Sequence, residues 1–185
     1  MIESAPSGKA GEGMNDRRQA IIDEIPRLRR YARALLRDRD AADDLVQDSL
    51  ERALSRMENW TTGESPRRWL FTIMHHLFVD QLRRAKRHAH AVTMMPESID
   101  ALAAPPPQTD RLASAEVLAA LQQIAPERRA ALVLVAIEGM SYADAANVLG
   151  IPAGTLMSRI ARGREDLRSI LDDVSRRRMI KVVEK

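Results

Sequence analysis

Three consecutive prolines, Pro105-Pro106-Pro107, stand in the middle of a chain whose patterned sequence is otherwise helical. Each proline lacks a backbone N–H and its ring collides with the preceding turn, so no helix runs through them. The surrounding stretch, residues 91–111, adds Met94-Met95-Pro96 and shows no apolar periodicity. It reads as a flexible linker, semi-extended where the prolines cluster. The chain is thereby divided into two patterned modules, 15–90 and 112–175. Residues 1–14, rich in Gly, Ser and Ala, read as a disordered leader, and 176–185 as a basic tail.

Both modules carry apolar residues at three- and four-residue spacing, the period of a half-buried helix. In the first these are Leu28, Tyr31 and Leu35, then Val46, Leu50, Ala53 and Met57, then Trp69, Leu70, Ile73 and Leu77. Asp38 to Asp44 is densely charged and reads as the connection between the first two helices. Asn59-Trp60-Thr61-Thr62-Gly63 interrupts the pattern, and Ser65-Pro66 restarts it with a capping hydroxyl and a first-turn proline. The second module continues with Val117, Leu118, Leu121 and Ile124, then Leu132, Val135 and Ala136 after Pro126. No segment alternates as a strand would, and aromatics make up only 3% of residues, which disfavours sheet-rich folds. The expected fold is all-α: two small helical domains joined by a flexible linker.

Several function classes fall away on composition. Cysteine is absent, which removes disulfide scaffolds, thiolate metal sites and cysteine nucleophiles. There is no glycine-rich phosphate loop and no placed triad, so the chain is expected not to be an enzyme, with no cofactor and no small-molecule substrate. No apolar run approaches the roughly 20 residues that span a bilayer, and the N-terminus lacks the apolar core of a signal peptide. The expectation is a cytoplasmic protein without membrane insertion. A formal charge of +3 over 185 residues says little about partners. Its distribution says more: residues 15–90 hold 16 Lys and Arg against 12 Asp and Glu, and 116–185 hold 11 against 9.

The most informative stretch runs from Ser141 to Arg164. Ser141 is a good helix N-cap, Asp144 favours the positive helix end, and Ala145 and Ala146 are small where a second helix must cross. Gly150 supplies a left-handed turn, Ile151 plugs the core from that turn, and Pro152 begins the next helix. With Leu156 and Ile160 inward, Thr155, Ser158, Arg159 and Arg162 face outward. Hydroxyls and guanidiniums at this spacing suit phosphates and base edges. The stretch reads as a DNA-binding helix-turn-helix; an ordinary helical hairpin with a solvated basic face is the alternative.

Two further stretches point past a plain repressor. Ala41-Ala42-Asp43-Asp44-Leu45-Val46-Gln47-Asp48-Ser49-Leu50 places acidic and amide groups around an apolar stripe, and closely resembles the core-polymerase-binding helix of bacterial RNA polymerase sigma factors. The resemblance is to the small two-domain extracytoplasmic-function (ECF) group of the sigma-70 family. Arg68-Trp69-Leu70-Phe71-Thr72-Ile73-Met74-His75-His76-Leu77-Phe78-Val79-Asp80-Gln81-Leu82-Arg83-Arg84 resembles that family's promoter-melting, minus-ten-reading helix. The helix-turn-helix resembles its minus-thirty-five-reading domain. The three follow the family's order and cover about residues 25–171, so 15–90 would be a region 2-like domain and 112–175 a region 4-like domain.

The resemblance implies roles. Asp43, Asp44, Leu45, Val46, Gln47 and Asp48 would dock on the polymerase. Arg67, Arg68, Trp69, His75, His76, Arg83, Arg84, Lys86 and Arg87 would line the minus-ten side. Thr155, Met157, Ser158, Arg159, Arg162 and Arg164 would meet the minus-thirty-five element. The stripe position of Trp69 favours a core role over base stacking, and Trp60 is the other large π-face available. Two residues depart from the family pattern. His76 stands where Asn is common, and Met157 where Lys or Arg is usual, which removes one phosphate or base contact. Adjacent His75 and His76 diverge on a helix and make a poor metal site. The implied function is a sigma factor that binds core RNA polymerase and promoter DNA, in a stress response under an anti-sigma factor. Two competing readings are a sigma-like decoy that sequesters an anti-sigma factor and a plain helix-turn-helix repressor.

Overall fold

The computed structural model describes residues 8–60, 64–91 and 116–183. Among them there are helices and turns and no strand. The first module contains α1 (Gly8–Leu35), α2 (Arg39–Ser55), a 3-10 turn (Met57–Asn59) and α3 (Pro66–Ala91). The second contains α4 (116–121), α5 (Pro126–Leu132) running on into a π-helical turn (Val133–Ile137), α6 (Tyr142–Leu149) and α7 (Ala153–Val183). The two-module, all-α expectation is met.

Boundaries differ from the sequence reading in informative ways. The acidic stretch after Asp38 is not a connection but the first turns of α2. Asp38 caps that helix by accepting the Asp40 N–H at 2.9 Å, and a carboxylate is favoured at a positive helix end. The α1–α2 connection therefore shrinks to 36–38. Helix α1 begins at Gly8, inside the stretch read as a leader, and passes through Pro26. Helix α7 continues past Arg176 to Val183, into the stretch read as a tail. Of the linker, only Ala91, the end of α3, lies among the described residues. Val117 and Leu118, expected on an inward stripe, are exposed, whereas Leu121 and Ile124 are buried.

One apolar core runs through both modules and across their seam. In the first, Leu28, Tyr31 and Leu35 of α1 meet a core that includes Leu45 of α2 and Leu70, Phe71, Met74 and Phe78 of α3. The Tyr31 and Phe71 rings lie 5.2 Å apart at 43°. In the second, Leu134, Val148, Leu156 and Ile160 are enclosed. Each such Leu, Ile or Phe contributes about 1.5–3 kcal/mol on burial, against roughly 0–1 kcal/mol for an exposed ion pair. The apolar core therefore holds the modules. Gly163 lets α7 cross α5 closely, because a Cβ there would lie 2.8 Å from Leu132 Cδ1.

The seam between the modules adds charged groups to this apolar contact. Glu138, just after the π-helical turn, buries its carboxylate completely between them. Arg30 of α1 grips it with Nε donating to Oε1 at 2.7 Å and Nη2 to Oε2 at 2.9 Å. That hydrogen bond, reinforced by the Glu138 charge, holds the Arg30 guanidinium above its ordinary pKa. Arg67 of α3 adds an Nη2 contact to Oε2 at 3.6 Å and donates to the Glu138 carbonyl. The last carbonyls of α1, which have no partner within their own helix, are also met across the seam. Gln122 Nε2 donates to Ala34 O at 2.9 Å and Arg33 O at 3.2 Å, and Arg129 Nη1 donates to Leu35 O at 2.9 Å. Burial pushes the Arg129 pKa down, and the nearby Arg37 charge adds to this.

Candidate polymerase and promoter interfaces

The helix-turn-helix forms from α6 and α7. Ser141 Oγ accepts the Asp144 N–H at 3.0 Å and donates to Asp144 Oδ2 at 2.6 Å, so the cap and its acidic partner fix the start of α6. Gly150 ends α6 at φ +62°, a left-handed conformation that glycine adopts without strain. Ala145 and Ala146 are buried, and Ile151 is half-buried against the core. Leu156 and Ile160 turn α7 so that Thr155, Met157, Ser158, Arg162 and Arg164 are exposed. Arg159 is half-buried and faces the first module. The Ser158 hydroxyl is turned back, donating to Gly154 O at 2.9 Å.

On α3 the predicted promoter residues separate into two groups. His76, Arg83, Arg84, Lys86 and Arg87 are exposed, and the last four, with Asp80, line one shallow depression. Arg67, Arg68, Trp69 and His75 point elsewhere. Arg67 serves the seam, and Arg68 lies 3.6 Å from both Glu64 and Asp144 of α6. Trp69 is half-buried and stacks on Trp60, with ring centres 5.7 Å apart and planes within 10°. Trp60 is anchored by its Nε1 donating to Glu64 O at 2.9 Å. The two rings thus form one platform beside a core, a role that stripe position alone did not reveal. His75 is only 7% exposed, and its Nδ1 is buried without a partner. Its pKa is pushed down to about 4, chiefly by burial and further by the charges of His76 and Arg159.

On α2 the outward face holds Asp43, Asp44, Gln47 and Asp48, while Leu45 and Val46 are buried in the module's own core. Asp43 lies 3.6 Å from Arg33, and Gln47 Nε2 donates to Glu51 Oε1 at 3.0 Å. The exposed apolar residue of this face is Leu54, 50% exposed and two turns beyond Gln47. Sequence reasoning missed it, although the seven-residue spacing was available as a signal. Also missed were Gln122, Arg129 and Glu138, whose partners are 71 to 108 residues away apart from the Arg129–Gln122 pair. Among the described residues no three His, Asp or Glu side chains converge as metal ligands. No helix among them is long and apolar enough to cross a membrane.

An acidic helix face, a basic helix face and a helix-turn-helix on two linked helical modules define a DNA-binding transcription protein. Comparison with known proteins narrows this. Residues 21–75 match the family model described as the Sigma2 domain of PhyR, and 114–167 match Sigma-70, region 4. The chain is 37% identical over 154 residues to the ECF RNA polymerase sigma factor EcfG of Rhodopseudomonas palustris, covering 83% of this chain and 84% of that protein. It is 35% identical over 140 residues to the ECF sigma factor SigC of Mycobacterium tuberculosis, covering 72% of each. Among solved structures, the sigma factor RpoE in complex with the anti-sigma factor NepR from Bartonella quintana aligns at TM-score 0.76 with 32% identity, over 85% of this chain and 97% of that one. The chain belongs to the ECF RNA polymerase sigma factors. It acts with core RNA polymerase in promoter-specific transcription initiation.

Proposed function

We propose that the three faces divide the work of initiation. Asp44, Gln47 and Asp48, with Asp43 at the edge, dock on the polymerase around Leu54, giving an apolar centre within a polar rim. Leu45 and Val46 contribute by holding α2 in register. His76, Arg83, Arg84, Lys86 and Arg87 hold the phosphates of the melted minus-ten region, and the Trp60–Trp69 platform offers a π-face for an unpaired base. Thr155, Met157, Ser158, Arg162 and Arg164 enter the upstream major groove, joined by Arg159 when the modules part, while Arg67, Arg68 and His75 then join the minus-ten face. Residues 15–90 and 112–175 are then the two working domains, and 91–111 keeps both engaged by raising the effective concentration of the second. The protein works in the cytoplasm by binding, with no catalytic step of its own. Control by an anti-sigma protein is supported by the similar RpoE, solved with NepR, and by CnrH, solved with the cytosolic domain of CnrY at TM-score 0.64 and 27% identity.

The observation that carries this reading is the exposed polar and basic face of α7 held outward by buried Leu156 and Ile160. The docking half is tested by charge reversal. Asp44→Lys with Asp48→Lys, both exposed, should weaken core-polymerase binding by about tenfold or more, on the order of 1.4 kcal/mol. The thermal midpoint should stay within a few degrees of the parent. Unchanged polymerase affinity would remove α2 from the interface.

A further inference from the structure

Two polar side chains are left unanswered at one cavity. Arg159 of α7 is half-buried, yet its guanidinium makes no hydrogen bond or ion pair among the described residues. His75 of α3 is buried, and its Nδ1 has no partner. Both line the same cavity of about 340 Å³. A buried polar atom without a partner costs free energy, and a guanidinium is the side chain whose fork best fits a planar carboxylate. Arg83 and Lys86 stand at the same cavity, and Glu127 is the one acidic residue among the described lining. Arg83 is shared with Asp80, 3.7 Å away. The balance of charge at the cavity therefore favours an anion.

The rest of the wall is apolar: Phe78, Val79 and Leu82 of α3, with Leu149 and Ile151 at the turn of the helix-turn-helix. A bare phosphate would gain nothing from these side chains, whereas an anion with a hydrocarbon body would bury its chain against them. Size narrows the ligand further. The cavity has the volume of roughly eleven water molecules at about 30 Å³ each, so its occupant has on the order of ten non-hydrogen atoms. We propose that this cavity is a binding site for a medium-chain carboxylate, its head held by Arg159 and His75 and its chain lying along Phe78, Leu82 and Leu149. The guanidinium meets both carboxylate oxygens, and His75 adds a hydrogen bond from Nδ1–H. Burial keeps that imidazole neutral at pH 7, so it donates without adding charge.

The site has a consequence for transcription, which rests on the proposed reading of Arg159 as a group that meets the upstream promoter element. A guanidinium engaged by a carboxylate is not available to a phosphate or a guanine edge. Carboxylate and promoter therefore compete for the same side chain. By mass action, a ligand at about ten times its dissociation constant occupies about nine-tenths of the protein and lowers the free fraction about elevenfold. Arg159 is one of several contacts to DNA, so the loss of output is smaller than this factor. A free carboxylate would thus act on initiation directly, through the chain that reads the promoter.

Sodium decanoate, below its micelle concentration, is the probe, titrated calorimetrically into the full chain. The parent should bind it saturably. Hexanoate should bind about tenfold or more weaker, because each methylene buried tightens binding about fourfold. Decan-1-ol, the same chain without the charge, should also bind about tenfold or more weaker. Arg159→Gln should weaken decanoate about tenfold and His75→Leu about threefold. Arg168→Gln, an exposed position on α7 outside the cavity, should leave it unchanged. Decanoate at about ten times its dissociation constant should cut run-off transcription about threefold or more. No saturable binding to the parent, binding undiminished in both Arg159→Gln and His75→Leu, or decan-1-ol bound as tightly would overturn the site. Transcription untouched by saturating decanoate would overturn the competition. If decanoate binds as expected while the protein drives no transcription at all, the site stands and the promoter reading fails.

Discussion

A single titrating residue illustrates how local packing reaches into stability. His75 sits on the inner side of α3 near Phe78, with ring centres 6.4 Å apart, and its charged form is disfavoured by burial, His76 and Arg159. Its folded pKa of about 4 lies below the ordinary histidine value near 6.5. The unfolded chain therefore binds this proton first as pH falls. The contribution of neutral His75 is complete above about pH 6.5 and is lost as pH drops through 4. Between pH 7 and 4.5 the parent should lose about 2–3 kcal/mol more than His75→Gln, read from urea midpoints. Parallel pH profiles for the two proteins would contradict the burial of this imidazole. Its neighbour His76, one residue on, is exposed, which is why adjacent histidines cannot be assigned one role from sequence.

At the scale of elements, what was legible was what neighbours in sequence decide. The Ser141–Asp144 cap, the left-handed Gly150 and the inward pair Leu156 and Ile160 follow from local rules, and the helix-turn-helix came out as those rules require. The start of α2 did not, because a run of carboxylates looks like a loop until Asp38 is seen to cap it. Leu45 and Val46 were read as an interface because their stripe lies among acids, and only the packing of α1 and α3 shows that the stripe is already covered. Gly163 was passed over for the same reason: nothing near it in sequence announces Leu132, 2.8 Å from where its Cβ would stand. Gly163→Val should cost about 1–3 kcal/mol through overpacking at this crossing, read from the denaturation midpoint. A midpoint equal to or above that of the parent would mean that α7 and α5 have room to spare.

At the scale of the whole molecule, the two modules are joined by two unlike devices. The chain runs from one to the other, and the ion pairs of Glu138 with Arg30 and Arg67 favour their staying together. The weak net charge fits this division. Carboxylates gather on the outward side of α2, guanidiniums on α3 and α7, and the few that cross between modules pair with one another. One chain thus joins polymerase binding to promoter reading. The competing reading, a decoy that holds an anti-sigma protein, would require neither activity. Run-off transcription with core polymerase on a promoter library, with and without the protein, separates the two. Transcripts should appear only when the protein is added, from promoters sharing an upstream and a downstream element, and should fall at least tenfold with Arg159→Ala and Arg162→Ala together. No added transcript from any promoter, or output indifferent to both arginines, would contradict it.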